Sequence, residues 1–328
     1  MVVVESGGCC KHSAQPPSPD STSPLRRHQT AAEAPPSRGR HARYDRPRPR
    51  HLPRSKYLQP IVMTTHSYRV VTVDTICARF FPGRARSFPQ RLMTAAWRAG
   101  FLDKLRDRPV NRPDVYFLSA SAPRGLALLQ DVLGDDAAHG RFKRPPAIDH
   151  ALALNDFRAR LEHSAELSGL SVDAWKDELD LAELASEGLV PDASFQLTRP
   201  EGARAGFLVE AELTHVSRRH WRVRLGRYAQ FYYARQKYEA FFGLRSLRLL
   251  VITDGLRLSI LEEAERLEFT PLRLTTWAQV REASPGELLF APIWRKPSAP
   301  GLIPLYVRTG GEPVTVAPTM PETHDREN

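Results

Sequence analysis

Two short runs decide how this chain reads: Pro191-Asp192-Ala193-Ser194-Phe195-Gln196-Leu197, and Gly206-Phe207-Leu208-Val209-Glu210-Ala211-Glu212-Leu213. Apolar and polar residues alternate along both, which predicts strands. Side chains repeat every two residues along a strand. Ala193, Phe195 and Leu197 therefore share one face, as do Phe207, Val209, Ala211 and Leu213. Asp192, Glu210 and Glu212 fall on the other. If the runs pair through the turn-rich segment 198–205, three carboxylates converge at one edge of a sheet. Such a group is tolerable when solvated, or when a divalent cation or a basic group neutralises it.

Pro191-Asp192 followed by Glu210 resembles the PD-(D/E)XK nuclease pattern. The resemblance implies that Asp192 and Glu210 are metal ligands for Mg²⁺. It also implies a Lys two residues after the second acid, assisting the attacking water. Glu212 stands in that slot, a departure that bears on hydrolysis and not on the fold. Asp192, Glu210 and Glu212 are thus the candidate catalytic residues. The plainer alternative is an acidic sheet face turned to solvent, with no ion.

Downstream the chain turns basic and aromatic. Between Val216 and Tyr238 lie Arg218, Arg219, Arg222, Arg224, Arg227, Arg235 and Lys237, with no acid among them. Trp221, Leu225, Tyr228 and Tyr232 keep helical spacing and read first as a core stripe. The arginines either contact phosphates or pair with Glu210 and Glu212, and the sequence leaves both open. Beyond, Leu247–Ile252 reads as a buried strand and Leu256–Leu261 as an edge strand. Thr276–Ala283 reads as a last helix.

Upstream, residues 148–167 predict a long helix with Leu154, Phe157, Leu161 and Ala165 facing inward. His150 reads as structural, since no second His lies at metal-ligand spacing. Glu162 is a candidate further acid for the sheet edge. Asp173–Ser186 reads as a second, acidic helix ending near Gly188.

Residues 63–147 give helix, turn, helix, β-hairpin, helix. An amphipathic helix over Val71–Phe81 stops at Pro82-Gly83. Ser87-Phe88-Pro89-Gln90 has the form of a capping box. The helix it opens runs to Ala99, with Gly100 as terminator. Leu92, Ala95, Ala96 and Ala99 are its inner residues, and Arg91, Thr94 and Arg98 its polar face. This pattern predicts a winged helix-turn-helix, whose second helix enters the DNA major groove. Arg91, Thr94 and Arg98 would face duplex DNA, with Arg106, Arg108 and Arg112 in the wing. The rival is a small helical domain with a solvated basic face.

Charge supports the division. Residues 1–62 hold 11 Lys/Arg against 4 Asp/Glu, residues 63–147 hold 14 against 7, and residues 148–328 hold 22 against 26. The positive charge of a chain that nets +10 therefore belongs to the first 147 residues, and the carboxylate-bearing part is slightly acidic. Residues 1–62 contain 10 of the 28 prolines and read as a disordered basic tail. That tail is either a nucleic-acid-binding arm or leader sequence before a start at Met63. Residues 309–328 read as a disordered C-terminal tail. The 3 cysteines show no ligand spacing, and no apolar run spans a bilayer. The expectation is a cytoplasmic protein with no membrane partner.

The order of several short motifs resembles the replication-relaxation protein family of bacterial mobile elements. They are Phe80-Phe81-Pro82-Gly83, Arg91-Leu92 with Ala99-Gly100-Phe101, Tyr116-Phe117-Leu118 with Arg124-Gly125, and Asp149-His150-Ala151-Leu152-Ala153-Leu154-Asn155. Pro191-Asp192-Ala193, Val209-Glu210-Ala211-Glu212 and Arg224-Leu225-Gly226-Arg227-Tyr228-Ala229 complete the series. The resemblance covers roughly residues 70–255. The family's last strand acid is usually Asp, where this chain has Glu212. The resemblance implies a role in plasmid replication and DNA relaxation or mobilisation.

The expected fold is α/β (α+β). A winged helix-turn-helix over 63–147 precedes a restriction-endonuclease-like mixed sheet flanked by helices over 148–308. Three functions stay open: a DNA-binding accessory protein, an active Mg²⁺-dependent DNA nuclease, and a non-catalytic module that binds a relaxase or replication protein.

Overall fold

The computed structural model describes residues 56–105, 109, 111–134, 145, 147–214 and 216–307, all within one compact unit. The expected tails, apart from residues 56–62, and Arg106 and Arg108, expected in a wing, lie outside the described residues.

The centre is a five-stranded mixed sheet in the order β4-β5-β6-β7-β8: β4 (Ser171–Asp177), β5 (Ala193–Thr198), β6 (Arg204–Ala211), β7 (Leu247–Thr253) and β8 (Leu272–Thr276). The strands β4, β5 and β6 pair antiparallel, with Phe195 opposite Phe207, and their rings stack at 4.7 Å. The strands β6, β7 and β8 pair parallel. Parallel neighbours need crossovers. The first is α6 (Arg218–Tyr233) with α7 (Arg235–Phe242), and the second is α8 (Leu258–Arg266).

Both faces of the sheet are covered. Phe195, Phe207, Val209, Leu250 and Ile252 pack with Phe157 and Leu161 of α5 (Ile148–Glu166). Leu208, Leu249 and Val251 pack on the opposite face with Trp221, Leu225 and Tyr228 of α6 and Ile260 and Ala264 of α8. The sequence reading of the inner residues of β5, β6 and α5 holds. The polar face does not turn to water, because a second helical layer lies on it.

Two segments differ from expectation. Residues 171–177 form the edge strand β4, not a helix. Its pairing with β5 shifts register between Asp173 and Lys176, and Ala174 has φ 49°. Leu256–Leu261 is not an edge strand, because residues from Leu258 onward form α8, the crossover that β7 and β8 require. The strand β8 has no counterpart in the sequence reading. The last helix, α9 (Trp277–Glu282), is capped by Thr276.

Ahead of this sheet come α1 (Leu58–Tyr68), β1 (Val70–Val71), α2 (Val73–Phe80), α3 (Ser87–Arg98), β2 (Asp103–Lys104), β3 (Tyr116–Phe117) and α4 (Pro123–Leu133). The three short strands pair antiparallel in the order β1-β3-β2. The capping box sits at α2, not α3. Thr72 Oγ1 accepts from Thr75 N, and Thr75 Oγ1 from Thr72 N. Ser87 is itself the first residue of α3 and caps nothing. The inner face of α3 is Leu92, Met93, Ala96 and Trp97, with Ala95 only half-buried.

Residues ahead of 63 belong to the fold and not to a tail, because Ile61 and Val62 are fully buried in the core of this part and Tyr57 packs on it. The boundary expected at 147 coincides with a packed junction. Asn155 of α5 donates to the carbonyls of Tyr68 (2.9 Å) and Val70 (2.8 Å). Arg69 pairs with Asp177 at 2.5 Å. No helix among the described residues is long and apolar enough to cross a membrane.

Candidate functional site

The register that sets Ala193 opposite Val209 brings Asp192 and Glu210 together on the α6 side of the sheet. Asp192 is locked at the mouth of β5. Its N–H donates to Val209 O (3.0 Å), and its Oδ2 accepts from Ala211 N (2.7 Å). Its Oδ1 lies 3.1 Å from His150 Nε2. The Asp192 carboxylate holds the His150 imidazole above its ordinary pKa, against the opposing effect of burial.

Glu210 is 1% exposed. Burial pushes its carboxyl well above the usual range, and the Asp192 charge adds to this. Two side chains of α6, four residues apart, oppose that shift. Arg224 Nη2 approaches Glu210 Oε2 at 2.6 Å, and Tyr228 OH donates to Oε1. Residues at i and i+4 share a helix face, so one turn of α6 supplies both partners.

Glu212 is buried as well, and both of its oxygens are engaged. Oε1 accepts from Val216 N (2.6 Å) and lies 3.3 Å from Arg257 Nη2. Oε2 accepts from Trp221 Nε1 (3.1 Å), and the backbone carbonyl accepts from Trp277 Nε1 (3.2 Å). Glu212 ties the end of β6 to the start of α6 and to α9.

Magnesium demands near-octahedral oxygen ligands at about 2.0–2.1 Å and keeps several waters. Asp192 and Glu210 offer the right atoms, but a guanidinium and a phenol already fill the space at Glu210. The donor set as arranged does not fit a hydrated Mg²⁺. Among the described residues, no three or more His, Cys, Asp or Glu side chains group as metal ligands would.

Glu162 does not reach this site. It accepts from Tyr68 OH (2.8 Å) and pairs with Arg79 (3.0 Å) and Arg158 (2.7 Å) at the junction with α2. The proposed DNA-facing residues lie elsewhere. Arg91 and Arg98 are exposed on α3, and Arg112 is exposed ahead of β3. Thr94 is half-buried, and its hydroxyl donates to Gln90 O at 2.8 Å. The sequence reading missed His150 and Tyr228 as partners of the carboxylates. The i,i+4 pair Arg224–Tyr228 was the available signal.

A family model described as Replication-relaxation matches residues 64–244, more than half of the chain. The chain belongs to the replication-relaxation family. The matched region of this replication-relaxation protein contains α3, Asp192, Glu210, Glu212 and Arg224, so it spans the helical part and the carboxylate site together. Among solved structures, the restriction endonuclease FokI is similar at 8% identity with a TM-score of 0.30. That match covers 70% of this chain, which spans 44% of the FokI chain. No curated protein matches.

Proposed function

We propose that this replication-relaxation protein is a duplex-DNA-binding accessory protein. In this reading a winged helix-turn-helix engages the DNA, and a nuclease-like sheet without hydrolytic activity stands behind it. The observation that carries the reading is the exposed pair Arg91 and Arg98 on α3. They lie seven residues apart, two helical turns, on the second helix of the α2–α3 pair. The order α1-β1-α2-α3-β2-β3, with β2 and β3 forming a hairpin, supports it. Arg112 then belongs to the wing, beside the DNA backbone.

The absence of hydrolysis follows from the carboxylates. Glu212 replaces a lysine and is committed to Trp221 and Val216. Glu210 is neutralised by Arg224. A second reading, an active Mg²⁺-dependent nuclease, draws on the placement of Asp192 beside Glu210. A partner such as a relaxase or replication protein would act on DNA that this protein positions.

Gel-shift titration at two salt concentrations tests the first part. Arg91→Ala/Arg98→Ala is expected to bind duplex at least about tenfold more weakly, and unchanged affinity removes α3 from the interface. Supercoiled plasmid with Mg²⁺ or Mn²⁺ tests the second. Wild type and Asp192→Ala are expected to leave the same bands. Nicking by wild type alone establishes the nuclease instead.

A further inference from the structure

The arginines of α6 sort into distinct sets. Arg218 and Arg222 turn toward α8, where they meet Glu262 at 2.9 Å and Glu263 at 3.3 Å. Arg224 is held by Glu210. Arg219 and Arg227 meet no carboxylate among the described residues, and Arg227 Nη1 donates only to the carbonyl of Gly188 at 3.2 Å. These two, with Val223 midway, recur every four residues and form one stripe.

That stripe lines a groove of about 440 Å³ between α6 and the turn at Gly188–Val190. His220 and Arg224 complete its polar lining, and no acidic side chain lines it. Its apolar surface is Val190 and Val223, both unusually exposed for valines. Arg224 is a common wall, shared between this groove and the Asp192–Glu210 pair.

We propose that this groove binds the phosphodiester backbone of a nucleic-acid strand, a second contact beyond α3. The inference rests on the DNA-binding reading above. Arg219 and Arg227 start eight residues apart, about 12 Å along the helix. Successive phosphates of one strand advance about 3.4 Å along the duplex axis, so that span covers several of them. Guanidinium groups match phosphate oxygens in forked geometry. The valines between them suit sugar and base surfaces better than the carboxylates of an acidic peptide. Arg218, Arg222 and Arg224, which have carboxylate neighbours, are already neutralised, and of the arginines that line the groove Arg219 and Arg227 are left available.

Fluorescence anisotropy with a labelled oligonucleotide, single-stranded and duplex, tests this on the full chain. Arg219→Ala/Arg227→Ala is expected to weaken binding at least about tenfold. The slope of log affinity against log salt should become shallower by about 1.5, from two lost phosphate contacts. Arg218→Ala/Arg222→Ala removes the same charge from the same helix and is expected to stay within about twofold of wild type. All four side chains are exposed, and circular dichroism checks that the variants fold. Equal losses in the two double variants overturn the groove in favour of diffuse helix charge. Unchanged binding by Arg219→Ala/Arg227→Ala, with loss by Arg91→Ala/Arg98→Ala, overturns the groove and leaves the DNA reading standing. Displacement of the oligonucleotide by a millimolar mononucleotide overturns a strand track in favour of a lone-phosphate site. A wild type that binds no oligonucleotide overturns both readings.

Discussion

Arg224 Nη2 stands 2.6 Å from Oε2 of Glu210, a carboxylate on a central strand with almost no exposure. Removing one partner of such a pair leaves the other charge buried and uncompensated, which costs more than the pair itself is worth. Here the orphan would also face Asp192. Arg224→Ala is expected to lower stability by about 3 kcal/mol in urea denaturation at neutral pH. Adding Glu210→Gln to that variant should restore more than half, because the neutral amide needs no counter-charge. If the double variant is as unstable as the single, Arg224 acts by packing and not by charge.

His150 and Asp192 give a pH dependence with a definite sign. The folded-state pKa of His150 is raised by Asp192. Its contribution to stability is therefore complete below the unfolded pKa, about 6.5, and fades as pH climbs through the raised folded value. The difference in urea midpoint between wild type and His150→Gln should be largest in mildly acidic buffer and shrink above neutrality. A gap that widens with pH would show that His150 sits neutral in the fold.

Gly125 and Gly226 make a matched test of packing. A Cβ at Gly125 of α4 would lie 2.0 Å from Phe101 O and 2.8 Å from Leu118 Cδ2. The carbonyl belongs to the turn that ends α3, whose Gly100 O already accepts from Arg124 N and Gly125 N. That backbone cannot retreat cheaply. Gly125→Ala is expected to cost about 2–3 kcal/mol. Gly226, inside α6, has nothing within 4 Å of the added carbon. Gly226→Ala should be neutral or stabilise by about 0.5–1 kcal/mol. Thermal melts of the two variants should move apart, and equal shifts would refute the close approach at Phe101.

The face assignments of β5 and β6 were legible because a strand's period is two and no bulge interrupts either run. The same rule fails at β4. The register shift between Asp173 and Lys176 changes the phase of alternation, and Arg69, more than a hundred residues earlier, holds Asp177. Local spacing carries no trace of that contact. At α8, Leu256, Leu258 and Ile260 alternate only because a turn runs into a helix, and the need for a crossover between β7 and β8 settles the matter. The meeting of Asp192 with Glu210 was likewise visible in the sequence. Pairing of Glu210 with an arginine was one of two open readings, and that Arg224 makes the pair and Tyr228 joins it was not legible, since it depends on how α6 lies across the sheet. Pairing accounts for Arg218, Arg222 and Arg224, and it leaves Arg219 and Arg227 to the groove.

The start of the fold can be tested by truncation. Ile61 and Val62, in α1, are 0% exposed and belong to the core that carries α2 and α3. Thr65 Oγ1 donates to Ile61 O at 2.8 Å, so the first turn of α1 also anchors a buried hydroxyl. Full burial of an Ile or Val side chain contributes about 1.5–3 kcal/mol. A chain beginning at Met63 forfeits both and leaves the Thr65 hydroxyl without its acceptor. Its expected loss is about 3–6 kcal/mol, a large share of the roughly 5–15 kcal/mol of an ordinary domain. Thermal unfolding of the full chain and of chains starting at Lys56 and Met63 would measure it. The first two should melt together, and the third well below them. Equal melting of all three would place Ile61 and Val62 outside the cooperative core.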